Sequence, residues 1–321
     1  MNLSDEQIKY METFFPYAFG KIKAAHLGGK RFVHYTTAEA AISIIQNKEV
    51  WMRKSSYMND YMEVTHGLDC LKKAHNNNEA GEKLNAIINN IFPNISEEIA
   101  ETFNGWLPHL ENETYITSVS EHLESENQLG RLSMWRAYGD SIGIALVLNN
   151  DAFLSSSDAL KAYMNPVGYF TEKQFEEQYL SVISNIEKNQ SYIEKMGRED
   201  LKGGLFNVYK YAILCTKHPG FEEEREWRVV YSPTLDRSDK LIKDMQTIQG
   251  TPQTVYKIPL KNYPEEGFVG AEIPEIIDRV IIGPAEFSGA VFEVFVDLLE
   301  KAGVPNPNKI IEVSDIPLRR S

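Results

Sequence analysis

The stretch RFVHYTTAEAAISIIQNKEVWMR, Arg31–Arg53, decides the fold class. RFVHYT (31–36) is rich in β-branched and aromatic residues and reads as a strand. Residues 37–47 then place Ala38, Ala41, Ile42 and Ile45 at i, i+3, i+4 and i+7, a helix with one buried face. EVWMR (49–53) returns to strand. Upstream, residues 4–24 read as an amphipathic helix opened by the capping pair Ser4 and Gln7.

Downstream, residues 61–110 are helical by pattern, broken at 76–78 and near Pro93, and TYITSVS (114–120) is again a strand. RLSMWRAYG (131–139) predicts a short helix, and IGIALVL (142–148) a strand apolar on both faces, hence central in a sheet. A second helical block spans about 171–213. WRVVY (227–231), VYKIPL (255–260) and RVIIG (279–283) read as strands. Residues 287–303 form a helix with Phe287, Val291, Val294, Phe295, Leu298 and Ala302 on one face. Strands come early and late, with helical blocks between them, so the expected class is α+β. The expected organisation is a helical extension over 1–30, then one domain over 31–321 with helical inserts at about 61–112 and 171–213.

Composition narrows the function classes. With 42% hydrophobic and 25% charged residues in 321, the chain has an ordinary globular make-up and can bury a substantial core. No apolar run is long enough to span a membrane, and MNLSDEQIKY lacks the shape of a signal peptide. Cys70 and Cys215 are far apart, which argues against a disulfide framework. The cytoplasm is the expected compartment, with no membrane partner. A net charge of −13 disfavours coating a polyanion, although it says nothing of local grooves.

The standard catalytic signatures are absent: no Gly-rich phosphate loop, no dinucleotide fingerprint, no HExxH, no GxSxG. The seven histidines lack ligand spacing, so no metal is expected. Five segments stand out instead. His34-Tyr35-Thr36 ends a strand, where a histidine either meets a sugar hydroxyl or satisfies a backbone carbonyl at a sheet edge. Ser55 to Glu63 (SSYMNDYME) is a polar, aromatic-studded turn, either a helix cap or a ligand-contacting loop. In FEEEREWR (221–228), strand alternation sets Glu224, Glu226, Arg228 and Val230 on one face. A carboxylate entering a sheet needs a partner or a role; Arg228 is the available partner. LSMWRAYG (132–139) carries Trp135 and Tyr138, core rather than stacking residues. SDIPLR (314–319) is a tail with a proline turn and a basic end.

As a set, these segments resemble the bacterial family catalogued as domain of unknown function 2971. The resemblance rests on the HYT strand and its helix, and on Met58-Asn59-Asp60-Tyr61-Met62-Glu63. It rests also on Val119-Ser120-Glu121, on Met134 to Gly143, on the acidic strand E-x-E-W-R, on Ile281 to Pro284 and on the Ser-x-Ile-Pro ending. It covers about residues 31–320. The layout further resembles the ADP-ribosyltransferase fold, a split β-sheet that grips NAD, in its diphtheria-toxin and poly(ADP-ribose) polymerase branch. His34-Tyr35-Thr36 matches the His-Gly-Ser/Thr strand of that branch, with Tyr35 in place of glycine. Glu226 to Tyr231 matches its catalytic-glutamate strand.

That resemblance implies an NAD-dependent ADP-ribosyltransferase with NAD as substrate and no metal. It modifies a macromolecular acceptor, protein or nucleic acid, as a toxin or phage-defence effector with a neutralising antitoxin as partner. By carry-over, Glu226 and His34 are catalytic, His34 on an adenine-side ribose hydroxyl and Glu226 on the nicotinamide ribose 2′-hydroxyl. Tyr35, Thr36, Tyr57, Asn59 and Ser120 join His34 around NAD, Thr36 on the nicotinamide amide, and the stacking ring is Trp51, Tyr57 or Tyr61. Glu224 and Arg228 orient the acceptor; Arg131, Arg136, Arg228 and Arg319-Arg320 would feed a nucleic acid to the cleft. A preorganised carboxylate suits the oxocarbenium character that develops as the glycosidic bond breaks. The rivals are an NAD glycohydrolase in the same pocket and a non-catalytic nucleotide- or protein-binding module. The enzyme reading requires the Glu226 carboxylate to point into one cleft beside His34; a carboxylate locked to Arg228 away from any pocket favours the binding module.

Overall fold

The computed structural model describes residues 3–57, 62–77, 79–138, 142–248 and 250–317. Helix α1 (Asp5–Phe14) opens with the expected capping box: the Gln7 N–H donates to Ser4 Oγ and the Ser4 N–H to Gln7 Oε1. It does not run on to residue 24. Pro16 has no N–H to continue the ladder and instead occupies the first turn of α2 (Pro16–Leu27), which splits the expected single helix in two.

The deciding stretch becomes β1 (Arg31–Thr37), α3 (Ala38–Asn47), with the Thr37 hydroxyl capping the Ala40 N–H, and β2 (Glu49–Lys54). The first helical block is α4 (Met62–Asn76), α5 (Ala80–Ile91) and α6 (Ile95–Asn112), with breaks where Asn76–78 and Pro93 predict them. β3 (Tyr115–His122), α7 (Leu132–Tyr138), β4 (Gly143–Leu148), β5 (Tyr163–Pro166) and β6 (Gly168–Tyr169) follow. The second block is α8 (Glu172–Lys188), α9 (Gln190–Met196) and α10 (Arg198–Leu214). Then come β7 (Thr216–Lys217), β8 (Glu226–Tyr231), β9 (Ile242–Ile248), β10 (Thr251–Pro259), α11 (Ile273–Ile276), β11 (Ile277–Ile282), α12 (Ser288–Lys301) and β12 (Ile311–Val313).

The chain is thus mixed α and β around an open mixed sheet of ten strands. Its path runs β12-β11-β4-β1-β3-β2-β10-β9, with β8 and β5 branching from β3; pairing is antiparallel except between β11 and β12. All six residues of β4 are buried, as its two-sided apolar run predicts. Strand β9 escaped the sequence reading because it is an outer strand, mostly exposed and without clean alternation.

The sheet has two faces. On one, Val33, Tyr35, Ala145 and Val147 meet Met134 and Trp135 of α7. The same face of β3 and β8 offers Ile116 and Val230 to the two helical blocks. On the other face, Phe32, Val119, Leu146 and Trp227 pack against α3, α11 and α12. Helices α1 and α2 join the two layers, Phe14 lying in the core of the helical blocks and Ala25 in the opposite core. In α12 the buried residues are Phe295, Leu298 and Leu299, while Phe287 and Val294, expected on the inward face, stand exposed. Among the described residues no helix is long and apolar enough to cross a membrane.

Candidate functional site

Strand β3 makes the site by having three partners on two edges. β8 occupies one edge along its length, pairing 115–120 with 231–226. The other edge is shared: β1 pairs only through Val33↔Ser120, and β2 only from Arg53↔Ile116. Between them the sheet splits, and residues 117–119 have no strand partner on that edge. A backbone carbonyl left there must find a donor. His34 supplies it, its Nδ1 lying 3.0 Å from the Ser118 carbonyl.

That contact fixes the tautomer. A carbonyl only accepts, so Nδ1 carries the hydrogen. Burial lowers the His34 pKa against the smaller opposing pull of the Ser118 carbonyl, so the ring is neutral and Nε2 keeps a bare lone pair. Among the described residues, Nε2 has no hydrogen-bond partner. The His34 side chain lines a cavity of about 340 Å³ on this face of the sheet. Val119, Leu146, Phe153, Met164 and Val229 are among its walls, and Leu3, Gln7 and Met11 bring α1 over it. Thr117 lines it too, and its hydroxyl likewise has no partner among the described residues. No Asp, Glu, Lys or Arg of the described chain lines this cavity.

Glu226 lies on the opposite face. Its pair partner is Ser120, which also pairs with Val33, and His34 is one residue on from Val33. Neighbours along a strand point to opposite sides, so the one cleft expected for His34 and Glu226 is not formed. The Glu226 carboxylate is buried and held by Arg228 (Nε to Oε1 2.9 Å, Nη2 to Oε2 3.1 Å), by Lys217 Nζ at 3.1 Å and by the Ser118 hydroxyl at 2.6 Å. Burial alone would raise its pKa. The charges of Arg228 and Lys217, with hydrogen bonds from Arg228 and Ser118, overrule that and bring it down to about 2. The carboxylate is charged, and two cations, Arg228 and Lys217, lie against it.

The remaining expected site residues divide. Tyr35 shares Glu226's face, but its ring packs edge-on to Trp135 at 4.9 Å and its hydroxyl accepts the Arg131 N–H at 2.9 Å; burial pushes its pKa up to about 12. Ser120 is buried opposite Glu226. Thr36 shares His34's face, pairing with Ile144, but does not reach the cavity. Tyr57 is exposed in a turn, with Lys54 near its ring, and does not line the cavity. Trp51 stacks under Lys257 instead of facing an open cleft. Asn59, with Met58, Asp60 and Tyr61, falls outside the described residues, as do Gly139 and Leu318-Arg319-Arg320.

Glu224 is in a 3₁₀ turn rather than on β8, because Arg225 turns the backbone left-handed with φ 47°. It nevertheless reaches Lys217 at 2.6 Å, so Lys217 joins Glu224 to Glu226. Neither Arg131 nor Arg228 forms a funnel for an acceptor: both are buried, Arg131 on the carbonyls of Glu121, Glu223 and Glu224 and Arg228 on the Leu214 carbonyl. Sequence reasoning missed Ser118, Lys217 and the cavity walls. The alternation of TYITSVS already set Thr117 and Val119 on one face; nothing marked Lys217, the third residue after α10.

Residues 134–229 match the model of a family described as a protein of unknown function, DUF2971. The matched stretch supplies Leu146, Phe153, Met164 and Val229 of the cavity as well as Glu226 and Arg228. No curated protein and no solved structure matches the chain.

Proposed function

We propose that the chain is a ligand-binding module whose site is the cavity at the split of the sheet. The observation that carries this reading is the pairing of a largely apolar space of about 340 Å³ with one ring nitrogen, His34 Nε2, that has no partner among the described residues. Ligand sites are typically concave, largely apolar and furnished with few polar groups that fix orientation. Among the described residues no cation lines the cavity to meet a pyrophosphate, which favours an uncharged ligand over NAD there. Titration of the full chain with neutral bicyclic aromatics is the test: saturable one-to-one binding and a raised Tm are expected. Val119→Phe, which projects a ring into the space, should abolish both. No saturable binding, or binding indifferent to Val119→Phe, would overturn the reading.

A second reading, NAD-dependent ADP-ribosyl transfer by an ADP-ribosyltransferase-like split sheet, has one specific support. The sheet parts beside His34, and a charged Glu226 stands one residue away across Ser118. Against it weigh the two cations on Glu226 and the lack of a shared cleft. Its measurement is nicotinamide release from NAD by the pure protein, with and without RNA, DNA or lysate protein. Release only with a macromolecular acceptor would favour the transferase and the effector role that goes with it. Release without one would favour an NAD glycohydrolase, and none at all leaves the binding module alone.

A further inference from the structure

We infer that the cavity selects an uncharged molecule with an apolar body and a hydrogen-bond donor, a hydroxyl or ring N–H, that it gives to His34 Nε2. The inference rests on the ligand-binding reading above and adds the chemistry of the ligand. It follows from the tautomer. The split of the sheet leaves the Ser118 carbonyl without a strand partner, His34 Nδ1–H satisfies it, and Nε2 is therefore an acceptor. An acceptor on a half-buried ring beside an apolar space is met by a ligand donor. The Thr117 hydroxyl lines the same cavity from the unpaired stretch and can accept from or donate to the same ligand group. A formal charge is excluded by the lining, since an ion there would lose its water and meet no counterion among the described residues. A ligand with an acceptor only, such as an ether, would set a second lone pair against Nε2.

The probes are 2-naphthol, 2-methoxynaphthalene and 2-naphthoate, titrated against the full chain at pH 7.5 and followed by ligand fluorescence. These share one ring system and differ in donor, acceptor and charge. 2-Naphthol is expected to bind about tenfold tighter than 2-methoxynaphthalene, the scale of one buried hydrogen bond, and 2-naphthoate not to saturate. His34→Leu should bring the two neutral probes to equal affinity. If far-UV circular dichroism shows that this variant has lost its fold, Thr117→Val decides, with the preference expected to fall about threefold. Equal affinity of the neutral probes for the wild type, tight binding of 2-naphthoate, or a full preference surviving the folded variant would overturn the inference and leave the binding module standing. Absence of saturable binding by all three would overturn the binding module itself.

Discussion

Ser118 holds His34 and Glu226 on opposite faces of one sheet: its carbonyl faces His34 Nδ1 at 3.0 Å and its hydroxyl donates to Glu226 Oε1 at 2.6 Å. The two residues are neighbours through one backbone unit, yet they look into different environments, one an apolar cavity and the other a knot of charge. Each role can therefore be tested without the other.

Glu226→Gln leaves Arg228 and Lys217 buried without their shared counterion. Removing one member of such a group costs about 3 kcal/mol. We expect a clear fall in the urea midpoint and unaltered affinity for neutral ligands, because Glu226 does not face the cavity. A fully stable variant that has lost nicotinamide release would instead mark Glu226 as catalytic.

Acid should expose the same carboxylate. Its folded pKa, near 2, lies below the ordinary value of 4.5, so its contribution is complete above about pH 4.5 and lost as the pH falls toward 2. Denaturant titrations from pH 5 to pH 2 should show a steeper loss for the wild type than for Glu226→Gln. Parallel curves would contradict the ion-pair assignment.

His34 acts in a higher window. Burial lowers its pKa below 6.5, so the unfolded chain takes up the proton first and stability is lost as the pH falls below about 6.5. His75 and His122 are shifted in the same direction, so the readout is the difference between wild type and His34→Leu. That difference should change between pH 7.5 and pH 5.5; a pH-independent difference would show that His34 is not held neutral by the fold.

Lys210 of α10 is buried with its ammonium over the Tyr211 ring, and burial lowers its pKa to about 8. Since the unfolded chain holds that proton up to about pH 10.5, the lysine costs stability at pH 7 and the cost fades as the pH rises from 8 toward 10.5. Lys210→Met keeps the stem and removes the charge, and should raise Tm by a few degrees at pH 7 with little effect at pH 10. An unchanged or lowered Tm at pH 7 would mean that the ammonium has a stabilising partner.

Gly130→Ala is expected to be among the more damaging small substitutions. Gly130 has φ +66°, and a Cβ there would stand 2.4 Å from Trp135 Cζ2, inside the fully buried indole that anchors α7. Trp135 is further fixed by its Nε1 donating to the Leu129 carbonyl at 2.8 Å, the same oxygen that accepts from Ser314 Oγ. We expect a loss of about 2 kcal/mol or more by denaturant unfolding; a loss of a few tenths would mean that the loop shifts freely.

Local sequence determined much of this protein. The 3.6 period with Thr37 as cap sets α3, the all-apolar GIALVL sets a central strand, and Ser4 with Gln7 opens α1, because these signals act over four to eight residues. Alternation even placed Glu226 with Arg228 on one face. Only tertiary structure decided what those faces meet. That β1 and β2 share one edge of β3, leaving 117–119 open for His34, depends on strands separated by the first helical block. Lys217 reaches Glu226 only because β8 and α10 are brought together across a turn that ends left-handed at Arg225. Side-chain parity across three strands is fixed by register, and register is set by long-range packing, so His34 and Glu226 could be read as partners from their motifs and still be turned apart by the fold.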